Sequence, residues 1–154
     1  MASIEIGIEV EFQTAADRAT TWAFLCDTPK TVGLYPKLKH LESLGNDQWQ
    51  WELQPLGGGG FSHQIVYAVT YHFDEAAGLI TWEPLPGRGN SSIDGSFRLH
   101  DQDSGMRVTL SVSGLLDVPV PRMLRSMARP YVEKEFSSQV NTFARTLSRE
   151  IGRQ

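Results

Sequence analysis

The feature that most constrains this chain is a change of hydrophobic period near residue 120. Before it, apolar residues recur every second position. Ile4, Ile6, Ile8, Val10 and Phe12 alternate with Glu5, Gly7, Glu9 and Glu11. Trp49, Trp51 and Leu53 alternate with Gln48, Gln50 and Glu52, and Phe61, His63, Ile65, Tyr67, Val69, Tyr71 and Phe73 share one side of a long segment. Ile93, Gly95, Phe97 and Leu99 follow, then Met106, Val108, Leu110 and Val112. Period two predicts strands with one dry face and one wet face. After Val118-Pro119-Val120-Pro121 the period becomes 3.6. Leu124, Met127, Tyr131, Val132, Phe136, Val140, Phe143, Leu147 and Ile151 predict one long amphipathic helix. Pro130 lies inside it, so a kink or restart is expected there.

Turn residues separate the strands. Gly45-Asn46-Asp47, Asp74 to Gly78 and Asp101 to Gly105 predict short turns. Gly57 to Gly60 and Pro84 to Gly89 predict loops. Leu38 to Leu44 and Leu79 to Glu83 complete a meander of about six strands after the first. Between the first strand and the meander, Thr14 with Asp17 three residues on offers a capped helix start. The stripe Ala19, Trp22, Ala23 and Cys26 follows it. Asp27-Thr28-Pro29 starts a second short helix that Tyr35-Pro36 ends. Such an antiparallel sheet needs a cover for its apolar face, and only the last helix is long enough. The expectation is one α+β domain over residues 1–154: a curved sheet of about seven strands wrapped round a long C-terminal helix. A ligand space would lie between the two layers.

This order resembles the helix-grip superfamily, which takes in START lipid-transfer domains, birch-pollen-allergen-type proteins and polyketide cyclase/dehydrase-like proteins. The likeness leans toward the carbon monoxide dehydrogenase-G branch. It is carried by the opening strand into Ala16-Asp17-Arg18-Ala19-Thr20-Thr21-Trp22, by Cys26-Asp27-Thr28-Pro29 and Tyr35-Pro36, and by Gly95-Ser96-Phe97-Arg98-Leu99. Val118-Pro119-Val120-Pro121-Arg122, entering the last helix, completes it. The resemblance implies an internal cavity for a hydrophobic small molecule, such as a lipid, a quinone or an aromatic polyketide-like compound. Some relatives are enzymes and others are carriers.

The cavity candidates follow from the faces. His63, Tyr67 and Tyr71 bring polar groups to the apolar side of their strand, where a buried Tyr or His needs a partner that a ligand oxygen could be. They are also the candidate catalytic groups if the chain is a cyclase or dehydratase. Trp51, Trp82, Phe97, Leu124, Met127 and Tyr131 are the apolar lining candidates, with core packing as the plain alternative for each. Asp94, Arg98 and His100 share a strand face opposite Phe97 and Leu99, which predicts a solvated polar face rather than an acid–base site. The tetraglycine loop lacks the Lys-Ser/Thr ending of a phosphate loop and reads as a flap or a tolerant surface loop. Cys26 reads as a small buried hydrophobe. The four histidines show no metal-ligand spacing, and neither a cofactor motif nor a nucleophile motif appears.

Charge divides the chain. Residues 1–118 carry seven Lys/Arg against fifteen Asp/Glu, a balance of −8. Residues 119–154 carry seven against three, a balance of +4. The net charge of −4 argues against nucleic-acid binding. Arg122, Arg125 and Arg129 form a basic stripe beside apolar residues. A solvated, salt-bridged helix face is its plain reading, and contact with an anionic membrane, a headgroup or a partner is the functional one. One cysteine excludes an internal disulfide. The start shows no basic end or apolar core of a signal peptide, so a cytoplasmic protein is expected. Glu5, Glu9 and Glu11 discourage edge pairing through the first strand, so a monomer or weak dimer is expected.

Overall fold

The computed structural model describes residues 2–55 and 64–154. The chain runs β1 (Ala2–Thr14), α1 (Arg18–Cys26), α2 (Thr28–Val32), β2 (Leu38–Gly45), β3 (Gln48–Leu53), β4 (Val66–Asp74), β5 (Leu79–Gly89), β6 (Ser91–Asp101) and β7 (Met106–Val118). A 3-10 turn (Arg122–Leu124) then leads into α3 (Arg125–Gly152). The seven strands form one antiparallel sheet in the order β1-β7-β6-β5-β4-β3-β2. From β2 to β7 it is a simple meander. β1 joins it at the far side by pairing with β7 from Ala2↔Val118 to Thr14↔Met106.

The alternation reads true in burial. Ala2, Ile4, Ile6 and Phe12 are buried, and the residues between the first three are exposed. β7 buries Met106, Val108, Leu110, Leu116 and Val118 on the same side. Onto this inner face α3 lays Val132, Phe136, Gln139, Val140, Phe143, Ala144, Leu147 and Ile151. The outer face is polar. Glu11 accepts from Arg107 (2.7 Å), Glu9 accepts from Ser111 (3.1 Å), and His72 meets Glu83 (2.9 Å).

Two boundaries differ from the sequence expectation. Thr14 does not cap a helix, because the β1–β7 ladder claims it. Asp17 is the cap instead, its Oδ1 accepting from Thr20 N at 2.9 Å. β5 does not stop at Glu83 but continues through Pro84 and Pro86 to Gly89. Its pairing with β6 ends at Trp82, so beyond that point β5 is an edge toward β6 and the prolines remove no ladder bond on that side. At Pro130, where the sequence predicts a kink or a restart, α3 runs on as one helix with no restart. The ring costs the hydrogen bond to the Ser126 carbonyl, and the helix tolerates this where it stands in solvent.

Trp82 packs over a glycine. Gly95 faces it across the β5–β6 ladder. A Cβ there would fall inside the indole's van der Waals envelope and lie 2.7 Å from the Ser111 carbonyl. Any side chain at 95 would displace the ring from the core.

Candidate functional site

Aromatic residues at inward strand positions meet one another across the inner face. Trp51 stacks on Tyr67 (5.3 Å between centroids, 27°). It also meets Tyr35 edge-on (5.7 Å), and Tyr35 meets Phe143 of α3 (5.3 Å). Phe143 contacts Phe97 (6.3 Å), Phe97 contacts Trp82 (5.2 Å), and Trp82 contacts Tyr71 (5.5 Å). The rings make a horseshoe that starts at Tyr67 and returns to Tyr71, which stacks on Phe73 (6.1 Å), all three on β4. Its physical origin is register. Trp51↔Tyr67 and Tyr71↔Trp82 are direct cross-strand pairs, where Cβ atoms approach most closely.

Polar atoms are set into this apolar arc. The Tyr35 hydroxyl donates to Gln139 Oε1 at 2.9 Å, and Gln139 Nε2 donates to Glu135 at 3.3 Å. Burial pushes the Tyr35 hydroxyl well above the usual phenol range, and the Glu135 carboxylate adds to the push. Tyr67 and Tyr71 are raised in the same way, chiefly by burial. Tyr67 is raised further by Tyr35 and Tyr71 beside it. All three are therefore neutral proton donors at physiological pH, and none is a base. The Trp51 Nε1–H is buried without a hydrogen-bond partner among the described residues. The Tyr71 hydroxyl feels this N–H, which offsets part of its upward push, yet the pair does not reach hydrogen-bond geometry.

The sequence-predicted site divides in two. Trp51, Tyr67, Tyr71, Trp82 and Phe97 come together on the inner face, each 3–6% exposed. Leu124, Met127 and Tyr131 do not join them. They stand 40%, 75% and 49% exposed. The correction has a geometric reason. At about 100° per residue, the buried line through Val132, Phe136 and Val140 leaves Tyr131 and Met127 rotated away from the sheet. That offset is legible in the spacing, and the expectation of one continuous stripe overlooked it. His63 and the tetraglycine loop lie outside the described residues.

Asp94, Arg98 and His100 sit on the outer face as expected, with Asp94 accepting from Ser113 and His100 next to Thr109 Oγ1 (3.0 Å). Arg129 pairs with Glu133 at 2.9 Å, whereas Arg122 and Arg125 are exposed without an ion pair among the described residues. Cys26 is half-buried. Desolvation, with Glu75 nearby, pushes its thiol up to about 11, which holds it as an unreactive thiol at neutral pH.

Sequence reasoning missed Tyr35, Gln139 and Glu135. Pattern alone marks Tyr35 as the end of a helix and nothing more. Gln139 carries a legible signal, because it occupies an apolar-stripe position between Phe136 and Phe143. A glutamine there has to find a buried partner.

The chain's structure is similar over almost its full length to several solved proteins. A protein of Thermus thermophilus superposes with a TM-score of 0.72 at 15% identity, covering 96% of each chain. The Zhui aromatase/cyclase from Streptomyces sp. R1128 gives 0.68 at 16% identity, covering 97% of this chain and 94% of that one. A START superfamily protein from Mycobacterium smegmatis gives 0.68 at 14% identity, covering 96% and 97%. The chain thus has the helix-grip fold, a curved open sheet closed over one long C-terminal helix. These likenesses speak for the fold and not for the carbon monoxide dehydrogenase-G branch. No family model matches the chain, and no curated protein matches it in sequence.

Proposed function

We propose that residues 1–154 form one ligand-binding domain, and that it takes up a hydrophobic small molecule bearing an acceptor oxygen between the sheet and α3. The observation that carries this is the Trp51 Nε1–H. A buried donor left unmade costs about 1–3 kcal/mol, and native cores rarely leave one unused. Here it sits in an aromatic arc beside two tyrosine hydroxyls held neutral. A carbonyl, quinone or carboxyl oxygen would satisfy it, and the surrounding rings would bury the apolar body at roughly 25 cal/mol per Å². The rings pack closely together, so a ligand enters by displacing side chains rather than by filling a rigid hole. START-like and aromatase/cyclase neighbours share this architecture and support the reading at the level of fold.

The cyclase alternative asks for an acid–base pair in the same place. Among the described residues, the buried inward strand positions hold tyrosines and no carboxylate or imidazole, and the one carboxylate that reaches the arc, Glu135 of α3, accepts from Gln139 rather than standing beside a base or acid partner. Raised tyrosines can orient or donate, but they cannot abstract a proton near neutrality. Binding is therefore the favoured reading.

The test is native mass spectrometry of protein purified gently from its own host, followed by extraction of the bound compound. A stoichiometric, oxygen-bearing hydrophobic molecule is expected. Tryptophan fluorescence should respond to it, and Trp51→Phe should weaken binding about tenfold, the worth of one buried hydrogen bond. Protein that is empty, and whose fluorescence responds to no quinone, fatty acid or polycyclic phenol, would overturn the proposal.

A further inference from the structure

The C-terminal helix has a second face that the sheet does not use. At about 100° per residue, Met127 and Tyr131 follow one another along the side turned away from the sheet, and Met123, in the 3-10 turn just before α3, is exposed at the same end. Lys134, Arg145 and Arg149 continue the same line. All six are exposed, Met123 at 85% and Met127 at 75%. No Asp or Glu falls on this line. Lys134 and Arg145 have no acidic partner among the described residues, and Arg149 is paired with Glu150 (3.4 Å). The face is thus apolar along its first turns and cationic along the rest.

The opposite surface of the two-layer structure has the reverse sign. The outer side of the sheet presents Glu5, Glu9 and Glu11 on β1, with Glu83 and Asp94 nearby, all exposed. Against these stand Arg98 and Arg107, the latter paired with Glu11 (2.7 Å), so the outer sheet face is net acidic while the cations of the helix stripe stand on the other layer. A molecule polarised in this way turns its helix toward a negatively charged plane and its sheet away from it.

We propose that the solvent-side stripe of α3 docks on an anionic lipid bilayer, with the helix lying along the surface. Met123, Met127 and Tyr131 enter the headgroup boundary, while Lys134 and Arg145 contact lipid phosphates. Two observations favour a bilayer over an acidic macromolecule. The apolar half is made of long, flexible methionines and an interfacial tyrosine. The apolar and cationic halves also lie on one side of a single uninterrupted helix, which a surface can meet along its length. The docking does not depend on what the inner face binds.

The test is co-sedimentation with equimolar phosphatidylglycerol/phosphatidylcholine vesicles at low salt, beside pure phosphatidylcholine. Binding to the anionic vesicles alone, weakened by salt, is expected. Lys134→Gln with Arg145→Gln should weaken it about 25-fold, from about fivefold per charge. Tyr131→Trp should shift its emission to the blue on the vesicles and be quenched by brominated lipid. These positions are exposed, and circular dichroism checks that each variant is folded. Failure to bind anionic vesicles at low salt overturns the proposal, as does equal binding to pure phosphatidylcholine. Self-association abolished by Met127→Ser, with no vesicle response, assigns the face to a second copy and also overturns it.

Discussion

The buried Tyr35–Gln139 hydrogen bond gives the sharpest test of how this core is built. Tyr35→Phe removes only the hydroxyl and leaves the ring against Trp51 and Phe143. It strands Gln139 Oε1 in a site where Gln139 is 5% exposed. Gln139→Leu removes the amide in favour of a similar apolar volume and strands the Tyr35 hydroxyl. Each single change leaves one buried polar group unmade, at about 1–3 kcal/mol. The double variant leaves neither, so its polar cost should nearly vanish. With about 2 kcal/mol for each single change, additivity would predict about 4 for the pair. The structure predicts about 1–2 for the pair, a coupling of about 2–3 kcal/mol. Urea melts read this directly. With a slope of about 2 kcal/mol per molar, each single variant should lose about 1 M of midpoint, and the double variant no more than either. Single effects that add to within about 0.5 kcal/mol would refute the reasoning, because the two groups would then not depend on each other.

Two further outcomes are expected. Tyr35, Tyr67 and Tyr71 have folded pKa values raised above the unfolded one, so the folded chain holds their protons more tightly. Their contribution is complete below about pH 10 and is lost as pH rises above it, at about 1.4 kcal/mol per pH unit per tyrosine and about 4 for the three. In a Tyr131→Phe background, phenolate absorbance at 295 nm should appear together with loss of far-ultraviolet circular dichroism, and phenolate in the still-folded protein would contradict this. Gly95→Ala should cost about 1–3 kcal/mol by overpacking and change tryptophan emission. A thermal melt unchanged from the parent would mean that Trp82 does not lie over Gly95.

The sequence by itself determined the layers. Alternation in β1, β3, β6 and β7 specifies which side chains turn inward, because a strand has a period of two and no other way to arrange them. The shift to 3.6 near residue 120 specifies the covering helix, and the charge division specifies an acidic body with a basic end. Even the solvated face of Asp94, Arg98 and His100 follows from their odd offset from Phe97. What the tertiary structure decided is contact between elements distant in the chain. Period tells a residue's face but not which partner the register sets opposite it. Trp51 meeting Tyr67, and Tyr35 reaching Gln139 from 104 positions away, depend on how β3 pairs with β4 and on how the segment between α2 and β2 meets α3. Met127 and Tyr131 are a different case. At about 100° per residue they lie roughly 140–180° round α3 from Phe136, so the spacing already carried their outward turn. Only Leu124, in the 3-10 turn before the helix begins, is placed in water by the tertiary structure alone.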